Sequence, residues 1–430
     1  MEREVEMSNS DRQRRLWSVQ PSRRGFLSGA GKAAVTAGVG LGVSGFLEAC
    51  ATGTGTASTT TSGKDLTIGY AIGESGLLLP YDVPVADMGQ LAIDDLNAKG
   101  GILGHKIQTV RADTKSVIEN AAPAALEVVS KGAGFMVATA DYDFGAGAAL
   151  VAQQHNIVVF TIAGSTKWGV QGIGPMAFTM SSCANTQAAS TAEWAYKQKG
   201  WKKVWILGDT VIAYQKDFTN YFQQRWNELA GSNGIVGMDT FKNPDASIAP
   251  QIARLKALPI QPDYVLLISF PPGGATAIRQ LRSAGVTLPI MGVPPMDGNY
   301  WLDAVPGLSD FFYVETASVY GDDGNKKVND LVSRFTKKTG QPPAIGENIL
   351  GYAIVEAYAK AAQMAGSLDS NKVRQALERF RNVPLVCGPT SFTADKHYVH
   401  GRGNAILEVQ NGKHRFVTYF TPEKVPEPQF

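Results

Sequence analysis

The chain is 430 residues long, with 40 Lys and Arg against 38 Asp and Glu and a formal net charge of +2. The signs are interspersed, so there is no electrostatic footprint for nucleic acid, and no run beyond the N-terminal region is apolar enough to span a bilayer. The length exceeds one ordinary core and suits two domains of comparable size.

Ser22-Arg23-Arg24-Gly25-Phe26-Leu27 is followed by a weakly apolar Ala, Gly and Val run and then by Leu47-Glu48-Ala49-Cys50. Basic segment, apolar segment and small residue before a cysteine, in that order, read as an export leader over 1–50. The apolar run is Gly-rich and interrupted by Lys32, which makes it too weak to remain as a membrane span. The Ser-Arg-Arg-x-Phe-Leu spacing resembles the twin-arginine signal. That resemblance implies export of an already folded protein to the periplasm or the outer face of the cytoplasmic membrane. Two processing readings stay open. Leu47 to Cys50 resembles a lipobox with Cys50 lipidated, Glu48 departing from its pattern, while Ala49-Cys50-Ala51 fits an ordinary small-x-small cleavage site. The Thr, Gly, Ser and Ala tract that follows favours lipidation, because 51–64 reads as a flexible tether.

The body opens near Asp65 and alternates β-branched runs with amphipathic ones. Leu66-Thr67-Ile68-Gly69-Tyr70-Ala71-Ile72 predicts a first strand, and Met88, Leu91, Ala92 and Leu96 a helix at i, i+3, i+4, i+8 spacing. A strand at 106–110, a helix at 118–131, a strand at 135–138, an Ala-rich helix and a strand at 157–160 follow. Such alternation implies right-handed crossovers and a parallel, doubly wound sheet. The pattern restarts with strands at 203–207, 234–241, 264–268 and 288–291, and with helices around 218–229, 248–258 and 274–284. This predicts a second α/β domain. After a strand at 312–314 come three helices, at 328–338, 349–364 and 372–380, with no strand between them. They do not continue the second sheet and are expected to return and cover the first domain. Runs at 403–409 and 413–419 around Asn411-Gly412 predict a closing hairpin.

The segment Ala92-Ile93-Asp94-Asp95-Leu96-Asn97-Ala98-Lys99-Gly100-Gly101-Ile102-Leu103-Gly104-His105-Lys106-Ile107 joins a helix to a strand through a double-glycine turn, where left-handed backbone is favoured. With Ile278-Arg279-Gln280-Leu281-Arg282-Ser283-Ala284-Gly285-Val286 and Cys387-Gly388-Pro389-Thr390-Ser391-Phe392 in order behind it, the body from 66 to 419 resembles the type I solute-binding proteins of the leucine/isoleucine/valine class, which serve ATP-driven importers. The resemblance implies an α/β architecture of two Rossmann-like doubly wound lobes joined by three hinge crossings, with the ligand in the cleft between them. Lobe 1 is then expected over 65–182 plus 318–390, and lobe 2 over 183–317 plus 391–430. The crossings would fall near 181–184, 315–319 and 389–392. Cys183 and Cys387 then lie beside crossings, and either a disulfide across the hinge or two buried thiols is compatible with that placement.

In open α/β sheets ligands sit beyond the carboxyl ends of the strands, where helix N-termini offer free N–H groups. Tyr81, Asp141, Tyr142, Asp143, Ala163, Gly164, Ser165, Thr166, Asp209, Tyr214 and Phe270 occupy such positions. By resemblance, Tyr142, Ala163 and Ser165 match first-lobe positions that hold a ligand's α-carboxylate and amine. Tyr81, Tyr214 and Phe270 match aromatic positions that close on it.

One position departs from the family. Amino-acid binders keep a second-lobe carboxylate shortly after the strand that corresponds to Pro289-Ile290-Met291-Gly292, and the matching position here is Pro294. An ammonium left unpaired in a closed cleft costs on the order of 3–5 kcal/mol. Each ~1.4 kcal/mol is tenfold in affinity, so a micromolar binder would fall to millimolar. Either Asp297, Asp141 or Asp143 substitutes, or the ligand is a small carboxylate or amide with an apolar or aromatic body; the balance tips slightly to the second.

Catalysis is not expected. His397-Tyr398-Val399-His400 with Asp395 lacks the spacing of a zinc site and reads as a solvated loop, and no nucleophile motif or cofactor fingerprint lies in the body. The expected partners are a small solute and the permease and ATPase subunits of an ABC importer, with the membrane reached only through the lipid anchor. The alternative is a ligand-sensing module that presents the solute to a separate signalling protein. The short stretch after the second lobe, 422–430, carries no output domain and favours transport.

Overall fold

The structure is a computed structural model that describes residues 65–429 except 244 and 246. The expected leader, the tether and Cys50 lie outside the described residues. The body begins with β1 (Leu66–Ile72) and α1 (Leu79–Ala98), then β2 (Ile107–Asp113), α2 (Ala121–Ser130), β3 (Phe135–Ala138), α3 (Tyr142–Gln154), β4 (Val158–Thr161) and β5 (Ala177–Thr179). These strands form a five-stranded parallel sheet in the order β2-β1-β3-β4-β5. The order reverses at β1, as a doubly wound sheet requires. Between α1 and β2, Gly100 and Gly101 have φ of +98° and +84°. A Cβ on Gly101 would lie 1.9 Å from the His105 carbonyl oxygen, so that turn admits only glycine.

The second sheet takes β6 (Val204–Asp209), β7 (Ile235–Phe241), β8 (Tyr264–Ile268), β9 (Ile290–Gly292) and β10 (Phe311–Glu315), interleaved with α4 (Ala184–Lys197), α5 (Ala213–Ala230), α6 (Ala249–Lys256) and α7 (Gly273–Ser283). The three later helices are α8 (Lys326–Thr339), α9 (Leu350–Ala365) and α10 (Ser370–Leu377). A two-stranded ribbon of β11 (Val383–Leu385) and β12 (Gly388–Thr390) precedes the hairpin of β13 (Asn404–Gln410) and β14 (Lys413–Phe420). The second sheet has the order β14-β13-β10-β9-β8-β6-β7 and is parallel except at β13, which runs against both neighbours.

Strand alternation puts the two faces of the first sheet into separate cores. Leu66, Ile68, Tyr70 and Ile72 of β1 join α1 and, through residues such as Leu331, Ile354 and Val373, helices α8, α9 and α10. Ala71, Met136 and Val159 face the other way, onto alanines of α2 and α3. The three consecutive helices therefore do return to the first sheet. They cover its second face, which no helix following β2 or β3 covers.

Two elements carry no sequence signal, two local expectations are revised, and one open alternative is decided. β5 and α4 carry no periodic signal. β5 is three residues long, and α4 is mostly Ala, Ser, Thr, Asn and Gln with every residue from Ala184 to Ala195 buried, so it has no polar stripe to read. The stretch expected as a solvated loop is buried. The His397 ring is 1% exposed and stacks on Phe178 with centroids 3.9 Å apart, and Thr179 donates its N–H to the His397 carbonyl at 2.9 Å. The last passage toward the second sheet also lies later than 389–392. Pro389 is in the β12 ribbon, Phe392 packs in the first core, and the second sheet is reached at Asn404. Finally, Cys183 and Cys387 are both buried free thiols. Cys387 accepts a hydrogen bond from Arg402 at 2.9 Å, and the hinge disulfide is not formed.

Candidate functional site

A cavity of about 680 Å³, counted out to its mouth, lies where the carboxyl-end loops of the two sheets face each other. From the first sheet come Leu77, Leu78 and Tyr81 after β1, Asp141, Tyr142 and Phe144 after β3, and Ile162, Gly164 and Ser165 after β4. From the second come Ile212 and Tyr214 after β6, Phe270 after β8, and Pro294 and Pro295 after β9. Glu347 reaches in from the 3-10 turn Gly346–Ile349 that precedes α9.

The two sides are joined across this cavity. The Tyr81 hydroxyl donates to the Pro295 carbonyl at 3.2 Å and lies 3.4 Å from the Tyr300 hydroxyl. The Ala213 N–H donates to Asp143 Oδ2 at 2.8 Å, and Lys167 pairs with Asp217 at 3.5 Å. Gly164 lets the Tyr214 ring come close, since a Cβ there would sit 2.9 Å from the ring. The two sides are thus in direct contact beside the cavity. Burial pushes the phenols of Tyr81 and Tyr214 well up, so both stay neutral donors; Tyr214 donates to Gln187 at 2.6 Å.

Of the residues singled out in the sequence, Tyr81, Tyr142, Ser165, Tyr214 and Phe270 line the cavity together. Ser165 is buried and accepts from the Lys167 N–H at 3.3 Å, which leaves its O–H to donate. Ala163 lies beneath the lining. Its N–H donates to Thr161 at 3.0 Å and its carbonyl accepts from Thr179 at 2.7 Å, so its amide is engaged within the protein. Asp143 serves the bond to Ala213 and does not line the cavity. Asp297 does not line it either. It is fully buried and accepts from the Tyr313 and Tyr320 hydroxyls and the Gly298 N–H at Oδ1, and from the Gly346 N–H at Oδ2, all between 2.6 and 2.7 Å. A carboxylate with four donors has little capacity for a ligand.

Two acids do line the cavity. Asp141 caps α3, Oδ1 accepting from the Asp143 and Phe144 N–H groups, and burial, with Asp143 adding to it, pushes its carboxyl up to about 7. Glu347 is raised by burial and by the charge of Asp297, with the Ser181 hydroxyl acting against that rise. Behind it Glu315 accepts from the Thr316 N–H at 2.6 Å through Oε1, while Oε2 is buried with no partner among the described residues. Burial and Glu347 push Glu315 well up as well. Among the described residues no Lys or Arg lines the cavity. Glu347 is the lining residue that the sequence hides best, because an acid in the first turn before an apolar helix reads as an ordinary partner of the helix dipole. Its one further signal is the preceding Gly346, where a Cβ would lie 2.1 Å from the Ala317 carbonyl oxygen.

Among the described residues no group of three or more His, Cys, Asp and Glu could hold a metal ion, and no helix is long and apolar enough to cross a membrane.

A sequence model described as periplasmic binding protein matches residues 65–413. The Leu/Ile/Val-binding protein of Rhizobium johnstonii is 25% identical over 339 residues, which are 76% of this chain and 87% of that protein. A branched-chain amino acid transporter substrate-binding protein of Streptococcus pneumoniae, solved with isoleucine, superimposes with a TM-score of 0.71 at 22% identity, over 83% of this chain and all of that one. A solute-binding protein of an ABC transporter from R. palustris, solved with benzoate, gives 0.70 at 17% identity over 84% and 98% of the two chains. The fold is thus that of the type I periplasmic binding proteins, two α/β lobes with flanking helices.

Proposed function

The chain belongs to the periplasmic binding protein family, and on that premise we propose that it is the extracytoplasmic solute-binding component of an ABC importer. It captures a small amino acid, amide or carboxylate in the cleft between its sheets. The observation that carries this reading is the shared cavity, lined by both sets of strand-end loops and bridged by Tyr81–Pro295 and Asp143–Ala213. A solute held there touches both lobes at once, so it stabilises the shut form over an open one, and only such differential binding can drive closure. The solved relatives carry isoleucine in one case and benzoate in another, both small molecules with an apolar body. That matches a lining of Leu, Ile, Phe, Tyr and Pro. The shut form then docks on the permease and its ATPase.

The same reading gives the N-terminal region its use: a twin-arginine leader exports the folded protein, and a lipid on Cys50 tethers it beside its importer. Labelling with a palmitate analogue, lost in Cys50→Ala, tests the anchor. A thermal-shift screen of amino acids, amides and aromatic acids tests the binding function, because a solute at about 100 times its Kd stabilises by about 2.7 kcal/mol. A screen in which nothing shifts the melting temperature overturns it.

A further inference from the structure

We infer that Glu347 reads the polar end of the ligand, and that the cavity takes a solute bearing a nitrogen-bound hydrogen donor, a primary amine or an amide, on an apolar body. The inference rests on the solute-binding reading above and narrows it. The other acids near the cleft are occupied. Asp297 accepts four hydrogen bonds, Asp143 is bonded to Ala213, and Asp141 caps two amides of its own helix. Glu347 alone among them lines the cavity with its carboxylate outside any backbone cap. It comes from the connection that returns to the first sheet, and neither set of strand-end loops supplies it.

The surroundings decide the sign of the ligand. The charged groups that act on Glu347 are acids: Asp297 from the wall after β9 and Glu315 from the end of β10, with Ser181 supplying the polar contact from the first passage. Glu315 Oε2 is buried beside it with no partner among the described residues, so that end of the cavity gathers acids and holds an unmet hydrogen-bonding group. Among the described residues no cationic side chain lines the cavity, and the Ala163 amide is engaged with Thr161. A carboxylate placed there adds a further acid to that group with no counter-ion, whereas an N–H group donates to the unprotonated oxygens of Glu347 and Glu315, and an ammonium offsets the charge of their ionised form. Burial and the charge of Asp297 push Glu347 toward its protonated form. An ammonium that displaces that proton binds with proton release, while a neutral amide binds without it.

The test is calorimetry with two matched series: isoamylamine, isovaleramide and isovalerate, and benzylamine, benzamide and benzoate. Each is run in buffers of different ionisation enthalpy, on the wild type and on Glu347→Gln. We expect the amine or the amide of at least one series to bind more tightly than its carboxylate, with proton release for the amine alone. Glu347→Gln, whose amide oxygen still accepts, should weaken the amine at least tenfold and abolish proton release. It should change the amide less than the amine. The melting temperature of the variant, with its retained response to amide, reports that it folds. Tighter binding of the carboxylates, or an amine affinity unchanged in Glu347→Gln, overturns the inference and leaves the solute-binding reading intact. If none of the six binds but the broad thermal-shift screen yields a ligand without a nitrogen donor, the inference falls alone. If that screen yields nothing, both fall.

Discussion

The carboxylate of Asp143 accepts the N–H of Ala213, 2.8 Å away, so the first turn of α3 caps the first turn of α5 across the cleft. This bond exists only while the lobes are together, and it gains from the partial positive charge at a helix N-terminus. Charge-assisted bonds of this kind contribute roughly 1.5–3 kcal/mol when buried and less when half-exposed, as here. Asp143→Ala should weaken solute binding about tenfold in calorimetry. The melting temperature of the unliganded protein should barely move if its open form predominates in solution.

Tyr214 approaches the cleft floor because Gly164 has no side chain. Its ring would lie 2.9 Å from a Cβ at that position, well inside ordinary contact. Gly164→Val should hold the lobes apart. In small-angle scattering the decrease in radius of gyration on adding solute should be lost, while the denaturation midpoint stays near that of the wild type.

Ser165 and Tyr142 line the cavity from the first lobe, one with a free O–H and one with an aromatic edge against Trp168. Either Ser165→Ala or Tyr142→Ala should lower solute affinity by about tenfold or more, about 1.4 kcal/mol. Unchanged affinity in both variants would remove these residues from the site.

Asp297 acts on stability. Asp297→Ala removes the shared acceptor of two buried tyrosine hydroxyls and of the Gly298 and Gly346 N–H groups, of which Tyr313 keeps His414 Nδ1 and Gly298 keeps the Tyr320 hydroxyl as partner. The expected cost is roughly 3–5 kcal/mol. Urea unfolding should show it as a lower midpoint at an unchanged slope.

The cavity acids make stability depend on pH with a definite sign. Glu347 rises from 4.5 to about 8, and Asp141 from 3.8 to about 7, both chiefly through burial. In that window the folded protein holds protons that the unfolded chain has released. Their contribution is therefore complete below the unfolded values and is lost as the pH rises through the folded ones. Glu347→Gln removes its share. The variant should gain on the wild type as the pH goes from about 5 to about 9, by a difference on the order of a few kcal/mol. A difference that stays constant across that range would contradict this.

Much of this architecture was legible because periodicity and burial agree. β1, β3 and β8 are short apolar runs flanked by turn residues, and α7 and α8 have clean amphipathic faces, so each declares itself locally. The aromatic lining was legible for a related reason: Phe270 stands on a strand-to-helix loop and Tyr81, Tyr142 and Tyr214 in the first turn of the helix that follows a strand, where an α/β sheet gathers its ligand contacts. α4 was not legible, since a helix buried all round has no stripe. Nor was the burial of His397, which depends on a strand-like bridge between Thr179 and Tyr398 across more than two hundred residues of chain.

The sequence by itself determined the two-sheet α/β plan, the return of α8 to α10 to the first sheet, and most of the aromatic walls. These follow from local patterning, which each segment carries wherever it ends up. Only the tertiary structure decided what the acids do. Asp143, Asp297 and Glu347 are equivalent carboxylates in the sequence. Packing gives the first a helix N-terminus to cap, encloses the second among four donors, and leaves the third facing the cavity. A carboxylate's role is set by the donors that reach it, and those donors come from segments far apart in the chain.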